Sequence, residues 1–189
     1  MTDGQRTVRH YKRGWVSSIC LVVITSILAG IYTQTELHAQ NSAPPTRQAV
    51  TNALHHAVRF FRNHASANGG YVFQLSADLS KREGEGKVSS ATAWIEPPGT
   101  PAVGLAFLQA YRRCKDPILL EAAKETAEAL RQGQLESGGW DNRIEFATRE
   151  RAKYAYRTGM KTNHKDKLRN TTTFDDNKSQ SAIRFLMEL

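Results

Sequence analysis

Two cysteines in 189 residues, Cys20 and Cys114, are too few for a disulfide scaffold. Cys20 lies inside an N-terminal apolar run, so a processed chain would keep Cys114 alone and could close no internal bridge. There is no CxxC pair, no Cys/His cluster at zinc spacing, no GxxxxGK[ST] and no GxSxG. Those absences remove structural zinc, dithiol redox chemistry, P-loop phosphate binding and the α/β-hydrolase nucleophile. The length leaves room for one domain with an appendage and excludes a large multidomain enzyme. Acidic residues are in deficit, 18 against 26 Lys+Arg, for a formal charge of +8. What is present is ordinary: 40% hydrophobic and 8% aromatic residues, too apolar for a chain that is disordered throughout.

The N-terminus reads as an export signal. Arg6, Arg9, Lys12 and Arg13 oppose a single acid, Asp3, and are followed by an uncharged run from Trp15 to Tyr32. A basic flank, an apolar stretch and a small residue soon after mark a secretory signal, with Ala39 as the cleavage position. A run of this length also approaches the roughly 18–20 residues that span a bilayer, so an uncleaved membrane anchor through residues 15–32 stays open. Either reading places the bulk of the chain outside the cytoplasm, secreted or periplasmic if cleaved and membrane-anchored if not, because the positive flank stays inside.

Setting residues 1–39 aside leaves a net charge of +6, and the segment 143–169 accounts for all of it, with nine basic residues against Glu145, Glu150 and Asp166. A localised excess attracts a polyanion such as an acidic polysaccharide or an anionic lipid face; its plainer reading is a solvated loop. Export makes nucleic acid the least suitable partner.

Along the chain, residues 40–45 form a short Pro-containing linker. Thr46 caps a helix with Val50, Leu54, Val58 and Phe61 on one face. Gly69-Gly70 closes it, and 76–99 is a long polar stretch punctuated by Gly and Pro, carrying Glu83, Glu85, Trp94 and Glu96. Its Lys81–Lys87 portion lacks Walker spacing and reads as a solvated turn. Thr100-Pro101 and Asp116-Pro117 both read as an N-cap followed by Pro at the first helical position. A last helix starts near Asp176 and runs to Leu189. Helix followed by Gly-Gly-aromatic occurs twice, at Gly69-Gly70-Tyr71 and Gly138-Gly139-Trp140, the pattern of a stacked or ringed all-α array, although two unrelated helix-end turns would look the same. The abrupt end of the last amphipathic segment suggests a truncated chain.

The stretch Thr172-Thr-Phe-Asp-Asp-Asn-Lys-Ser-Gln-Ser-Ala-Ile-Arg-Phe-Leu186 resembles the Thr-Ile-Asp-Asn-Gly-Ala-Thr-x-x-x-Leu-Arg-Phe-Leu motif of pectate lyases of polysaccharide lyase family 10. Pro97–Ala106 and Gly133–Trp140 resemble helical repeats of secreted planctomycete-type proteins related to it. The resemblance implies an (α/α) toroid, of which 46–189 would be an incomplete N-terminal part, and calcium-assisted β-elimination of polygalacturonate. It implies that Asp175 stands at a calcium- and substrate-binding position; Asp176 and Asn177 replace an Asn and a Gly. The arginine base of the family belongs to a segment beyond this motif, so no catalytic residue is assigned.

Eliminating next to a uronate carboxylate requires that its charge be neutralised, which a hard cation held by Asp oxygens does. Asp175 and Asp176 are the candidate calcium ligands, with Asp141 and Glu145 as further oxygen donors. Arg143 and Lys178 are candidate partners for uronate carboxylates, and Trp140 and Trp94 for stacking on sugar rings. The competing readings are that Asp175 or Asp176 is a helix N-cap and that the tryptophans are core. His55, His56 and His64 give no ligand geometry. The other function open at this point is a non-catalytic helical-repeat module of the cell envelope that binds glycan or protein.

Overall fold

A computed structural model describes residues 44–159 and 167–189. The chain divides into two units, Met1–Thr46 and Arg47–Leu189, and every described element belongs to the second. The signal or anchor expected at 1–39 and most of the 40–45 linker lie outside the described residues. No helix among the described residues is long and apolar enough to cross a membrane.

Among the described residues five α-helices carry the fold: α1 (Arg47–Phe60), α2 (Thr100–Cys114), α3 (Pro117–Gly133), α4 (Thr148–Arg151) and α5 (Lys178–Glu188). A π-helical turn, Phe61–Ala65, extends α1. Asp116 accepts from the Ile118 N–H and Pro117 opens α3, so the α2–α3 hairpin turns within two residues. At Thr100 the local signal is diverted. Its hydroxyl accepts from the Tyr71 N–H (3.0 Å) and donates to the Tyr71 carbonyl (3.1 Å), fully buried, while Gly99 takes the cap position without a side-chain bond. Phe185 of α5 lies against Gly104 of α2, where an added Cβ would come within 2.5 Å of the ring. Arg112 holds the far end of α5 through the carboxylate and carbonyl of Glu188.

The expectation of an all-α incomplete toroid is overturned by two small antiparallel sheets between the helices. Strands β1 (Gln74–Leu75) and β2 (Arg82–Glu83) form one, and β3 (Thr92–Trp94) and β4 (Arg143–Glu145) the other. The fold is mixed. Strands of two or three residues are too short to show an alternating pattern, and β3 finds its partner some fifty residues further on. The Gly-Gly-aromatic segments do share a geometry. Gly69 (φ 82°) and Gly138 (φ 101°) take left-handed turns, and the following Tyr71 and Trp140 are both buried. The core runs from Tyr71, Phe107 and Leu108 through Leu119, Ala123 and Leu130 to Trp140, Ile144 and Phe185.

Candidate functional site

The β3–β4 register builds the first part of the site. Thr92 faces Glu145, Ala93 faces Ile144 and Trp94 faces Arg143. Ala93 and Ile144 are fully buried, so Arg143 and Glu145 point to the opposite side of the ribbon. Thr92 donates its hydroxyl to Glu145 Oε2 (2.8 Å), and the Arg143 guanidinium lies 5.1 Å over the Trp94 ring. Two backbone bonds, Ala155 N to the Arg169 carbonyl and Arg169 N to the Lys153 carbonyl (2.9 Å each), bring the strand-like segments at 153–155 and 169 alongside. Arg169 donates to the Tyr154 hydroxyl, which fixes its guanidinium.

Together these segments surround a hollow of about 660 Å³ with Arg143, Lys153, Lys167 and Arg169 on its wall against Glu145 and Glu150. A smaller hollow of about 270 Å³ adjoins it, sharing Arg143, Glu145 and Glu150 and adding Lys87. Lys153 pairs with Glu150 at 2.6 Å, whereas Arg143, Lys167 and Arg169 make no ion pair among the described residues. Glu145 is 6% exposed; burial raises its carboxyl above the ordinary range, opposed by the Thr92 hydroxyl and the charge of Arg143. Another hollow, about 670 Å³, lies at Arg62, Lys124, Glu125 and Glu128; its opposite charges balance, and Arg62 is paired with Glu125. It has no net attraction for an ion.

The second part is the turn that opens α5. Asp176 (φ 48°) and Asn177 (φ 59°) are both left-handed, a conformation Asp and Asn tolerate best among residues with a Cβ. The turn sets Lys178 Nζ 3.0 Å from Asp176 Oδ2 and 3.4 Å from Glu96 Oε2. Glu85, Glu96 and Asp176 offer carboxylate oxygens within 4.8 Å of one another.

Of the residues singled out in the sequence, Asp175 and Asp176 are both exposed but do not converge. Asp175 Oδ1 accepts from the N–H of Asp176 within its own turn, while Asp176 turns to Lys178. Lys178 is 2% exposed and engaged by Asp176 and Glu96. Trp94 and Trp140 are 1% and 2% exposed, core residues with no face free for a sugar ring; the Trp140 indole donates to the Leu130 carbonyl. Asp141 is half-buried and accepts from the Asn142 N–H. Of that set, Arg143 and Glu145 line the cationic hollow. Among the histidines, His55 pairs with Asp116 at 2.6 Å. The Lys81–Lys87 stretch is a turn with Lys81, Glu85, Gly86 and Lys87 exposed, anchored by the buried Arg82 and by Gly84 beside the Trp94 ring.

Glu85 and Glu96 were visible only as acids in a long polar loop, and nothing local ties either to Asp176. Lys153, Lys167 and Arg169 belonged to the basic excess, but spacing does not distinguish them from Arg151, whose guanidinium is spent on the carbonyls of Gln132 and Glu145 and on the Tyr156 ring. No protein-family model matches the chain, and no curated protein or solved structure is significantly similar to it. The resemblance to pectate lyases therefore rests on the quoted motifs alone.

Proposed function

We propose that the folded unit binds an acidic polysaccharide of the polygalacturonate type through the hollow at Arg143, Lys167 and Arg169. The observation that carries this reading is three cations, around one cavity of about 660 Å³, that make no ion pair among the described residues. A polyuronate presents a carboxylate on every sugar, and planar guanidiniums bind carboxylates bidentately. The adjoining hollow with Lys87 extends the positive wall along a chain-like ligand. The resemblance adds β-elimination, which requires a base within hydrogen-bond reach of the carbon next to the carboxylate. No residue is assigned that role, so the proposed activity of this unit is binding.

Calorimetric titration with oligogalacturonate tests the reading. Arg143→Ala and Arg169→Ala are each expected to weaken binding about tenfold, equivalent to about 1.4 kcal/mol. Affinity is expected to fall as salt rises from 0.05 to 0.5 M, by analogy with screening lengths of about 10 Å at 0.1 M. Unchanged affinity in both variants would overturn the proposal. Unsaturated product, followed by absorbance and dependent on calcium, would add catalysis to binding; its absence leaves a glycan-binding module.

A further inference from the structure

Three carboxylates from two distant stretches of chain, Glu85 and Glu96 from the long loop and Asp176 from the turn before α5, come together, and two of them, Glu96 and Asp176, flank one buried ammonium. Residues two apart on a helix do not face each other; Lys178 reaches Asp176 because the intervening backbone is left-handed at both Asp176 and Asn177. Burial pushes the Lys178 amine down, yet the Asp176 hydrogen bond and the charge of Glu96 outweigh it and the net shift is upward. Glu96 Oε2 is itself buried and without a hydrogen bond, so its contact with Lys178 is an ion pair and its charge is balanced by that ammonium.

A resident calcium, as the resemblance implies, does not fit these residues. Calcium takes six to eight oxygens at about 2.3–2.6 Å. Asp175, which that resemblance places as a ligand, is bound to its own turn's backbone, and the oxygens of Asp176 and Glu96 already face a fixed positive charge. A divalent ion held by those oxygens would sit beside the buried ammonium, and like charges at that separation repel.

We infer that the Lys178 ammonium is the built-in cation of the Glu85–Glu96–Asp176 cluster, ordering the turn without a divalent ion, and that removing its charge opens a divalent-cation site there. This concerns the turn alone and does not depend on glycan binding.

The test follows thermal unfolding of the full chain in millimolar calcium chloride and in chelator, together with calorimetric titration of calcium. The wild type is expected to show the same midpoint in both and no binding heat. Lys178→Met keeps the packed stem and removes the charge. Its midpoint is expected to drop in chelator and to rise with calcium in a saturable way. Adding Asp176→Asn to that variant is expected to abolish the calcium response. Lys178→Ala, which leaves more room for an ion, is expected to behave as Lys178→Met does. Calcium-dependent stabilisation of the wild type would overturn the inference. So would folded Lys178 variants as indifferent to calcium as the wild type, or variants that stay unfolded even in calcium.

Discussion

Glu145 is a carboxylate held in an interior that does not favour its charge. Burial raises its folded-state pKa above the unfolded value. The proton is thus retained longer in the folded chain, and folding loses stability as pH rises from the unfolded value, about 4.3, through the raised folded one. Glu145→Gln, whose amide oxygen still accepts from Thr92, is expected to raise the unfolding midpoint at pH 7 and to make no difference below about pH 4. A melt of both proteins across that range checks it. The same substitution removes a negative charge from the cationic hollow and is expected to tighten oligogalacturonate binding at pH 7. Lys178 is the opposite case at the same scale, a buried charge whose partners hold it ionised.

Between elements, single atoms decide whether neighbours fit. Thr100 stitches the start of α2 to the backbone of Tyr71, and Thr100→Val keeps the shape while leaving the Tyr71 N–H buried and unpaired. The expected loss is about 1–3 kcal/mol in chemical denaturation. Thr100→Ser, which keeps the hydroxyl, is expected to retain most of the stability. Where α5 crosses α2, Gly104→Ala drives a methyl into the Phe185 ring. Overpacking of this kind costs about 1–3 kcal/mol, offset by up to about 1 kcal/mol of helix propensity. Gly86→Ala is the control: nothing lies within 4 Å of the added Cβ, and a change within about 0.5 kcal/mol is expected.

For the whole molecule, acid is the stress its electrostatics respond to. Asp78, held by the hydroxyls of Ser76 and Ser80, is lowered to about 2, and Glu128, held by Arg131, likewise to about 2. His55 lowers Asp116 in the same direction. Depressed carboxylates contribute stability above their unfolded pKa and lose it as pH falls through the folded value. The unfolding midpoint is therefore expected to decline between about pH 4 and pH 2. Glu128 and Asp116 owe their shifts to charged partners near the surface, so their share of the decline is expected to shrink at 1 M salt, whereas the share of Asp78, held by neutral hydroxyls, is expected to persist. Glu145 works against it, since its protonation favours the fold.

Much of the helical frame was legible because its signals are local. Asp116-Pro117 sets a cap and a φ angle within two residues, and Gly69 and Gly138 supply left-handed turns wherever they stand. The concentration of positive charge in 143–169 is likewise a matter of composition. Thr100, by contrast, carries a cap signature and makes a tertiary link instead, because Tyr71 offers it a buried backbone pair. The two tryptophans suited sugar stacking by residue type and are core by position. Which carboxylates surround Lys178, and which of the basic residues share a cavity, depended on bringing together stretches about 80 and about 25 residues apart. Side-chain type and spacing carry no record of such meetings; the packing of α5 on α2 and the pairing of β3 with β4 create them.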